Sequence, residues 1–356
     1  MSQVRGCHLI GSVPLPDTET VLRQCTSALP HRLKRIPDGE TGFRNLFTTW
    51  QSLMFHVSPE LCVKFEYNRP VPAGEFSQQQ VDEGIEKLEK AAPLDTGYDK
   101  VGIESYGVFK KLKDEGVIAK DTRFQVSMAT PPNVLSPFVE APFQARVEPL
   151  YQDALYRSMR TLQEKIPHQD LAIQIDLAVD TAFWDGFPWF KPWFGDGNMD
   201  KIKAYIVDYT VRMIGQVDKD VDVLIHNCYG DMEHRHWIEP ISLASVTERG
   251  LRIFEKTPHN IDGFHVPVPK SAMDNLEKYL EPLKQLIPKF KEHNTDLYLG
   301  VIHYNDRAAT DKMIAAAKNV LDYPFGVATE CGMGRTPPEE IKDILQLSCE
   351  VSEPVF

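Results

Sequence analysis

Eight short apolar runs alternating with stretches of helical periodicity constrain this chain more than any other feature. The runs cover residues 6–12, 32–38, 124–129, 171–176, 221–228, 263–268, 296–303 and 324–330. Several are apolar at consecutive positions, the pattern of parallel strands covered on both faces. Helical patterns lie between them at 81–91, 147–165, 200–216, 242–256, 271–290 and 308–321. Ser271 reads as one helix cap, and Thr336 before Pro337 as another. Strand followed by helix, eight times over, predicts an α/β fold of the (β/α)8 TIM-barrel type. The stretch at about 39–123 is too long for a simple crossover. It contains a Pro/Gly-rich piece at 69–74, and it reads as an elaborated insertion between strands 2 and 3. The expected organisation is one barrel domain over residues 1–356.

The length of 356 residues allows a large core, and the net charge of −12 argues against a nucleic-acid partner. No apolar run approaches membrane-spanning length, and the N-terminus lacks a signal-peptide layout. The expected context is a cytoplasmic enzyme acting on a small molecule. Six cysteines are too few for a disulfide scaffold.

In such a barrel the chemistry belongs at the C-terminal ends of the strands. There the runs end in Ser12, in Asp38 and Glu40, in Asp176, in His226-Asn227-Cys228, in His303, and in Glu330-Cys331-Gly332 with Arg335 beyond; His265 lies within the sixth run. Side chains two apart on a strand share a face, so His226 and Cys228 point to one place. If Cys331 meets them, two thiolates and an imidazole form a zinc-type ligand set. Each residue also has a plainer account. A lone cysteine is commonly a small buried hydrophobe, Asp176 could cap a helix, and Asp38 and Glu40 sit in a Gly-containing turn. Arg335 could pair with Glu339 or Glu340. His234 and His236 read as loop residues, with a second metal site as the minor alternative. The aromatic stretch 183–194, with Trp184 near its start, reads either as a satellite packing cluster or as a wall over an apolar substrate.

Taken in order, these segments resemble the C-terminal catalytic barrel of cobalamin-independent methionine synthase, within the superfamily that includes uroporphyrinogen decarboxylase. Ile10-Gly11-Ser12-Val13-Pro14 resembles its first-strand motif, and Gln174-Ile175-Asp176 its fourth. His226-Asn227-Cys228-Tyr229 resembles its zinc-binding His-x-Cys, Leu299-Gly300-Val301 its seventh-strand segment, and Glu330-Cys331-Gly332 its Asp-Cys-Gly. Arg35-Ile36-Pro37-Asp38-Gly39-Glu40-Thr41-Gly42 and Thr329-Glu330-Cys331-Gly332 are similar to motifs of a branch of short single-barrel proteins.

The resemblance implies Zn(2+) held by His226, Cys228 and Cys331, with Ser12 and Asp176 holding a thiol substrate and Glu40 at the position of a second-strand glutamate. The family's strand-6 glutamate ligand has no counterpart, and His265 stands nearest its place, with Glu330 and His303 as other candidates. The expected activity is a zinc-dependent transferase moving a methyl or other alkyl group to or from a thiol-type substrate. In that scheme Asp176, His303, Glu330, Asp38 and Glu40 are the acid/base candidates, and Ser12, Asp176, Arg335 and Trp184 contact substrate. The alternative is a zinc-dependent lyase, decarboxylase or hydrolase on an aromatic or small carboxylate. A third reading dispenses with metal and gives Arg35 and Arg335 a polyacid.

Overall fold

The computed structural model describes residues 3–63, 74–91, 93–231 and 235–356. Eight strands form one parallel sheet: β1 Val4–Cys7, β2 Arg35–Pro37, β3 Arg123–Ala129, β4 Leu171–Leu177, β5 Asp222–Asn227, β6 Gly263–Pro267, β7 Asp296–Gly300 and β8 Phe325–Ala328. Their order is β1-β8-β7-β6-β5-β4-β3-β2, all neighbours parallel. The two outer strands of that order approach each other through a single bridge, Cys7 to Leu33, with Cys7 N donating to Arg32 O at 2.9 Å. The sheet therefore curls into an α/β TIM-barrel-like fold, as the alternating pattern predicts.

All seven residues of β4 are buried, and so is every residue of β6 and β8. This burial explains the consecutive apolar positions, since helices cover the outside while the barrel interior covers the other face. The helix Ala141–Lys165 shows the outer layer's logic. Val147, Tyr151, Leu155, Met159 and Leu162 recur at helical spacing, and all are buried.

Most strands end earlier than the sequence expectation, while β4 runs one residue past it, to Leu177. The first, seventh and eighth runs extend past their strands to Ser12, His303 and Glu330, because buried residues such as Ile10, Val301 and Ile302 continue the apolar pattern into the loops. The single helix expected over 271–290 is instead broken into short pieces ending in Ile287–His293. Pro282 and Pro288 stand near the starts of the last two pieces, where a missing N–H costs least. Ser271 caps no helix; its hydroxyl donates to Glu239 Oε2 at 2.6 Å. Thr336 caps none either, and the last helix begins at Ile341 after a 3-10 turn, Pro338–Glu340.

Between β2 and β3 the described residues hold two helices, Gln78–Lys90 and Tyr98–Asp114, and several 3-10 turns. The first helix opens on a capping box in which Ser77 and Gln80 satisfy each other's backbone. Of the Pro/Gly-rich piece at 69–74, all but Gly74 lies outside the described residues. Among the described residues no helix is long and apolar enough to cross a membrane.

The end of the barrel at the strand starts is sealed by charge. Arg35, the first residue of β2, bonds Asp222 at 2.6 Å and Asp296 at 2.8 Å, the first residues of β5 and β7. Arg35 is thus committed to the floor of the barrel and cannot serve a polyacid at the other end.

Candidate metal centre

Strand register builds the site. β4 and β5 pair Asp176 with His226, and β5 and β6 pair His226 with His265, at one level. Cys228 follows two residues after His226 and faces the same way, as the spacing predicts. Cys331 arrives from the turn after β8. The ligand atoms of His226, Cys228 and Cys331 all lie within 4.8 Å of one another, the one such group among the described residues. The two Sγ atoms are 3.6 Å apart. Tetrahedral zinc with bonds of about 2.3 Å sets its sulfurs about 3.8 Å apart, so this donor set fits the metal with little movement. Cys228 donates to Cys331, and that hydrogen bond lowers the Cys331 thiol well below its ordinary range while raising Cys228. Metal binding would displace the proton that Cys228 holds between the two sulfurs.

His265 stands outside the group. Its Nδ1 lies 2.8 Å from His226 Nδ1, and its Nε2 lies 3.1 Å from the Thr329 carbonyl oxygen. Burial, with His226 and His8 nearby, pushes its pKa well down, so the ring is neutral. Glu330 and His303 also lie apart from the sulfurs' group and face each other, with His303 Nδ1 3.6 Å from Glu330 Oε1.

Two cavities meet at the cysteines. The first encloses about 110 Å³, and its lining includes polar Ser12, Glu40 and Asp176 and aromatic Phe47, Phe138, Phe190 and Trp237. Ser12 Oγ donates to Glu40 Oε2. Gly11 permits that approach, since a Cβ there would stand 3.2 Å from Glu40 Oε1. Burial and the neighbouring Asp38 charge push Glu40 up to about 7, against the opposing Ser12 hydrogen bond. Asp176 is raised well above the carboxylate range by burial and by Glu40, while Gln174 Nε2 donates to it at 2.8 Å.

Glu40 holds a left-handed backbone, φ 46°, directly after Gly39 at φ 83°. A non-glycine residue keeps such a conformation only where its surroundings over-determine it. Asp38 does so here. Its carboxylate accepts from Glu40 N at 2.8 Å, Arg44 Nη2 at 2.7 Å and Ser105 Oγ at 2.7 Å. Asp38 is therefore spent on the turn that presents Glu40, and it does not line the first cavity. Gly39→Ala is expected to lose about 1–3 kcal/mol from the left-handed conformation alone. A Cβ there would also stand 2.6 Å from Val21 Cγ2. Urea unfolding would read the loss.

Trp184 is not in the cavity. It ends the short helix Val179–Trp184 and is 2% exposed, with Lys203, Arg249 and Arg252 stacked on its ring at 4.9, 5.7 and 5.5 Å. The aromatic stretch divides between both readings. Phe183, Trp193 and Phe194 pack against one another and, through Phe194, against Tyr205, while Phe190 reaches the cavity and meets Trp237 edge-on at 5.0 Å. Phe47, Phe138, Trp237 and Asp231 are lining residues that the sequence did not single out. For Trp237 the signal was its place beside His236, nine residues after Cys228.

The second cavity, about 590 Å³, lies across the cysteines and is lined by His236, Glu239, Lys270, His303, Tyr304 and Glu330 among others. His236 Nε2 is 3.3 Å from Glu330 Oε2, and its Nδ1 is 3.2 Å from Glu239 Oε1. Burial opposes its charge, but these two carboxylates outweigh burial and push His236 up to about 9. His303 is lowered by burial, partly offset by Glu330. Arg335 pairs with neither Glu339 nor Glu340; its Nη2 and Nε donate to Asp231 Oδ2 at 2.6 and 2.9 Å, at the edge of the first cavity. His234 lies outside the described residues.

No protein-family profile matches the chain, and no curated protein sequence does. Among solved structures its fold is similar to that of a B12-independent methionine synthase from Shewanella sp. W3-18-1 in complex with selenomethionine. The identity is 12%, the TM-score 0.50, and the match covers 98% of each chain. The resemblance carried by the short motifs is thus met at the level of the fold.

Proposed function

We propose that this barrel is a zinc-dependent transferase that moves a methyl or other alkyl group to or from a thiol-type substrate. The observation that carries the proposal is the convergence of His226, Cys228 and Cys331 at the wall shared by two chemically different cavities. Zinc held by these three residues would keep a substrate thiol in its nucleophilic thiolate form near neutral pH. The methionine synthase-like fold supports the proposal without deciding the substrate.

The chain's own groups supply the rest. Ser12, Glu40 and Asp176 line the acceptor's chamber, where Glu40, ionised above about pH 7, would hold a cationic head such as an ammonium group. Phe47, Phe138, Phe190 and Trp237 exclude water from the reacting sulfur. Across the cysteines, His236 is charged at neutral pH and lies 3.3 Å from Glu330 Oε2, and it is the group that would give its proton to the leaving group, while neutral His303 stands 3.6 Å from Glu330 Oε1. The leaving group would be protonated there.

Two outcomes test this scheme. In cobalt-substituted protein, an aminothiol such as cysteamine should shift the visible absorption bands as its sulfur reaches the metal. If no thiol perturbs the bands, the zinc-dependent lyase or hydrolase reading replaces the transferase; the second cavity's His236, Glu330 and His303 would then serve a metal-activated water. The second outcome concerns pH. Because Glu40 titrates near 7, it is neutral below that value and ionised above it. Cysteamine stays cationic throughout, so its affinity should fall as pH drops through about 7. Glu40→Gln should weaken binding and flatten that dependence, as read by calorimetric titration from pH 5.5 to 8.

A further inference from the structure

The strand-6 histidine invites assignment as a fourth ligand, yet its bonds give it a different task. His226 and His265 sit opposite each other in the β5–β6 register, their rings 4.8 Å apart. Both ring nitrogens of His265 are engaged, Nδ1 with His226 Nδ1 at 2.8 Å and Nε2 with Thr329 O at 3.1 Å. A carbonyl oxygen can only accept, so His265 carries its hydrogen on Nε2. A neutral ring protonated at Nε2 is bare at Nδ1. The hydrogen between the two Nδ1 atoms therefore belongs to His226. With its hydrogen on Nδ1, His226 leaves Nε2 as the nitrogen available to a metal.

The same residue ties the two halves of the ligand set together. Through His226 it touches the end of β5, and through Thr329 it touches the turn carrying Cys331. Thr329 Oγ1 donates onward to the Cys331 carbonyl at 2.7 Å. The His265 carbonyl accepts from Asn227 Nδ2 at 2.8 Å, and Asn227 Oδ1 accepts from the fully buried Arg249 at 2.8 Å. Asn227 lies between His226 and Cys228 in sequence, so both donors of β5 are braced from behind.

We infer that His265 is a positioning residue and not a ligand. It locks His226 in the tautomer whose Nε2 can bind metal, and it sets the spacing of the β5 and β8 ends. The centre then has three protein ligands and keeps its fourth position for substrate, the arrangement of catalytic zinc sites. This inference rests on the proposed metal centre for its purpose. Its tautomer half can be read in metal-free protein.

The experiment uses protein labelled with 15N-histidine and stripped with a chelator, and two-bond proton–nitrogen spectra to assign tautomers. Wild type should show His226 protonated at Nδ1 and His265 at Nε2. His265→Gln offers a carbonyl to His226 and an N–H to Thr329, so it should keep the His226 tautomer and hold zinc within a few-fold of wild type. His265→Leu offers neither; His226 should shift its hydrogen to Nε2, and zinc affinity by chelator competition should fall about 10–100-fold. Zinc-edge X-ray absorption on wild type should count one imidazole and two sulfurs. Two imidazoles, an unchanged His226 tautomer in His265→Leu, or equal damage from both substitutions would overturn the inference. If His265→Leu does not fold, the wild-type tautomers and His265→Gln still decide it. If wild type takes up no zinc, the metal centre fails, while the tautomers still report whether His265 sets His226.

Discussion

Cys331→Ser, and separately Cys228→Ser, is expected to lower zinc affinity by well over about 100-fold, beyond what removal of an outer-shell partner costs. Each change takes one sulfur from a set of three protein donors and leaves a hydroxyl that is a poor ligand for zinc. The partner sulfur 3.6 Å away then faces a hydroxyl in place of the thiol whose hydrogen bond shapes its ionisation. Transfer to a thiol should fall to background in both variants. The fold should survive, because both sulfurs sit beyond strand ends, above a core packed on the strands beneath. Metal content by mass spectrometry, alongside circular dichroism, separates loss of the site from loss of the fold.

Arg35→Met should act at the other end of the molecule and in the opposite way. Removing one partner of a buried ion pair costs about 3–5 kcal/mol, because the remaining charge is left desolvated. The side chain of Arg35 is 7% exposed, and it serves two carboxylates at once. Each has a second cation, Lys34 beside Asp296 at 2.6 Å and Arg123 beside Asp222 at 3.3 Å. The cost should therefore fall at the lower end, about 3 kcal/mol, read by urea unfolding. Zinc content should be unchanged, since Arg35, Asp222 and Asp296 all begin their strands, whereas the proposed metal donors lie at the far ends. Equal loss of zinc and stability would mean that the barrel floor and the metal centre are not separate.

The fold was legible because burial on both faces writes consecutive apolar residues into each strand, and helices write their own period between them. The strand limits were less legible. A buried loop such as Val301-Ile302 has the same composition as the strand it leaves. The meeting of His226, Cys228 and Cys331 was legible for a local reason, the two-residue spacing at the end of β5, and for a non-local one, the resemblance that joined Cys331 to it. What the sequence could not express was direction. Trp184 and Phe190 look alike in one aromatic stretch, yet one is stacked among cations behind the barrel wall and the other faces the cavity. Asp38 and Glu40 flank one glycine, yet only Glu40 reaches the site, because Asp38 is consumed by Arg44, Ser105 and the Glu40 backbone. His236 and Glu330 are 94 positions apart and meet only in the folded chain.

The measurement that bears most directly on the central claim is anomalous diffraction from crystals of zinc-loaded protein, at energies on either side of the zinc edge. One full-occupancy peak is expected within bonding distance of His226 Nε2, Cys228 Sγ and Cys331 Sγ, and of no other protein atom. A zinc-loaded crystal with no peak between the two sulfurs, or with its peak elsewhere, would contradict it.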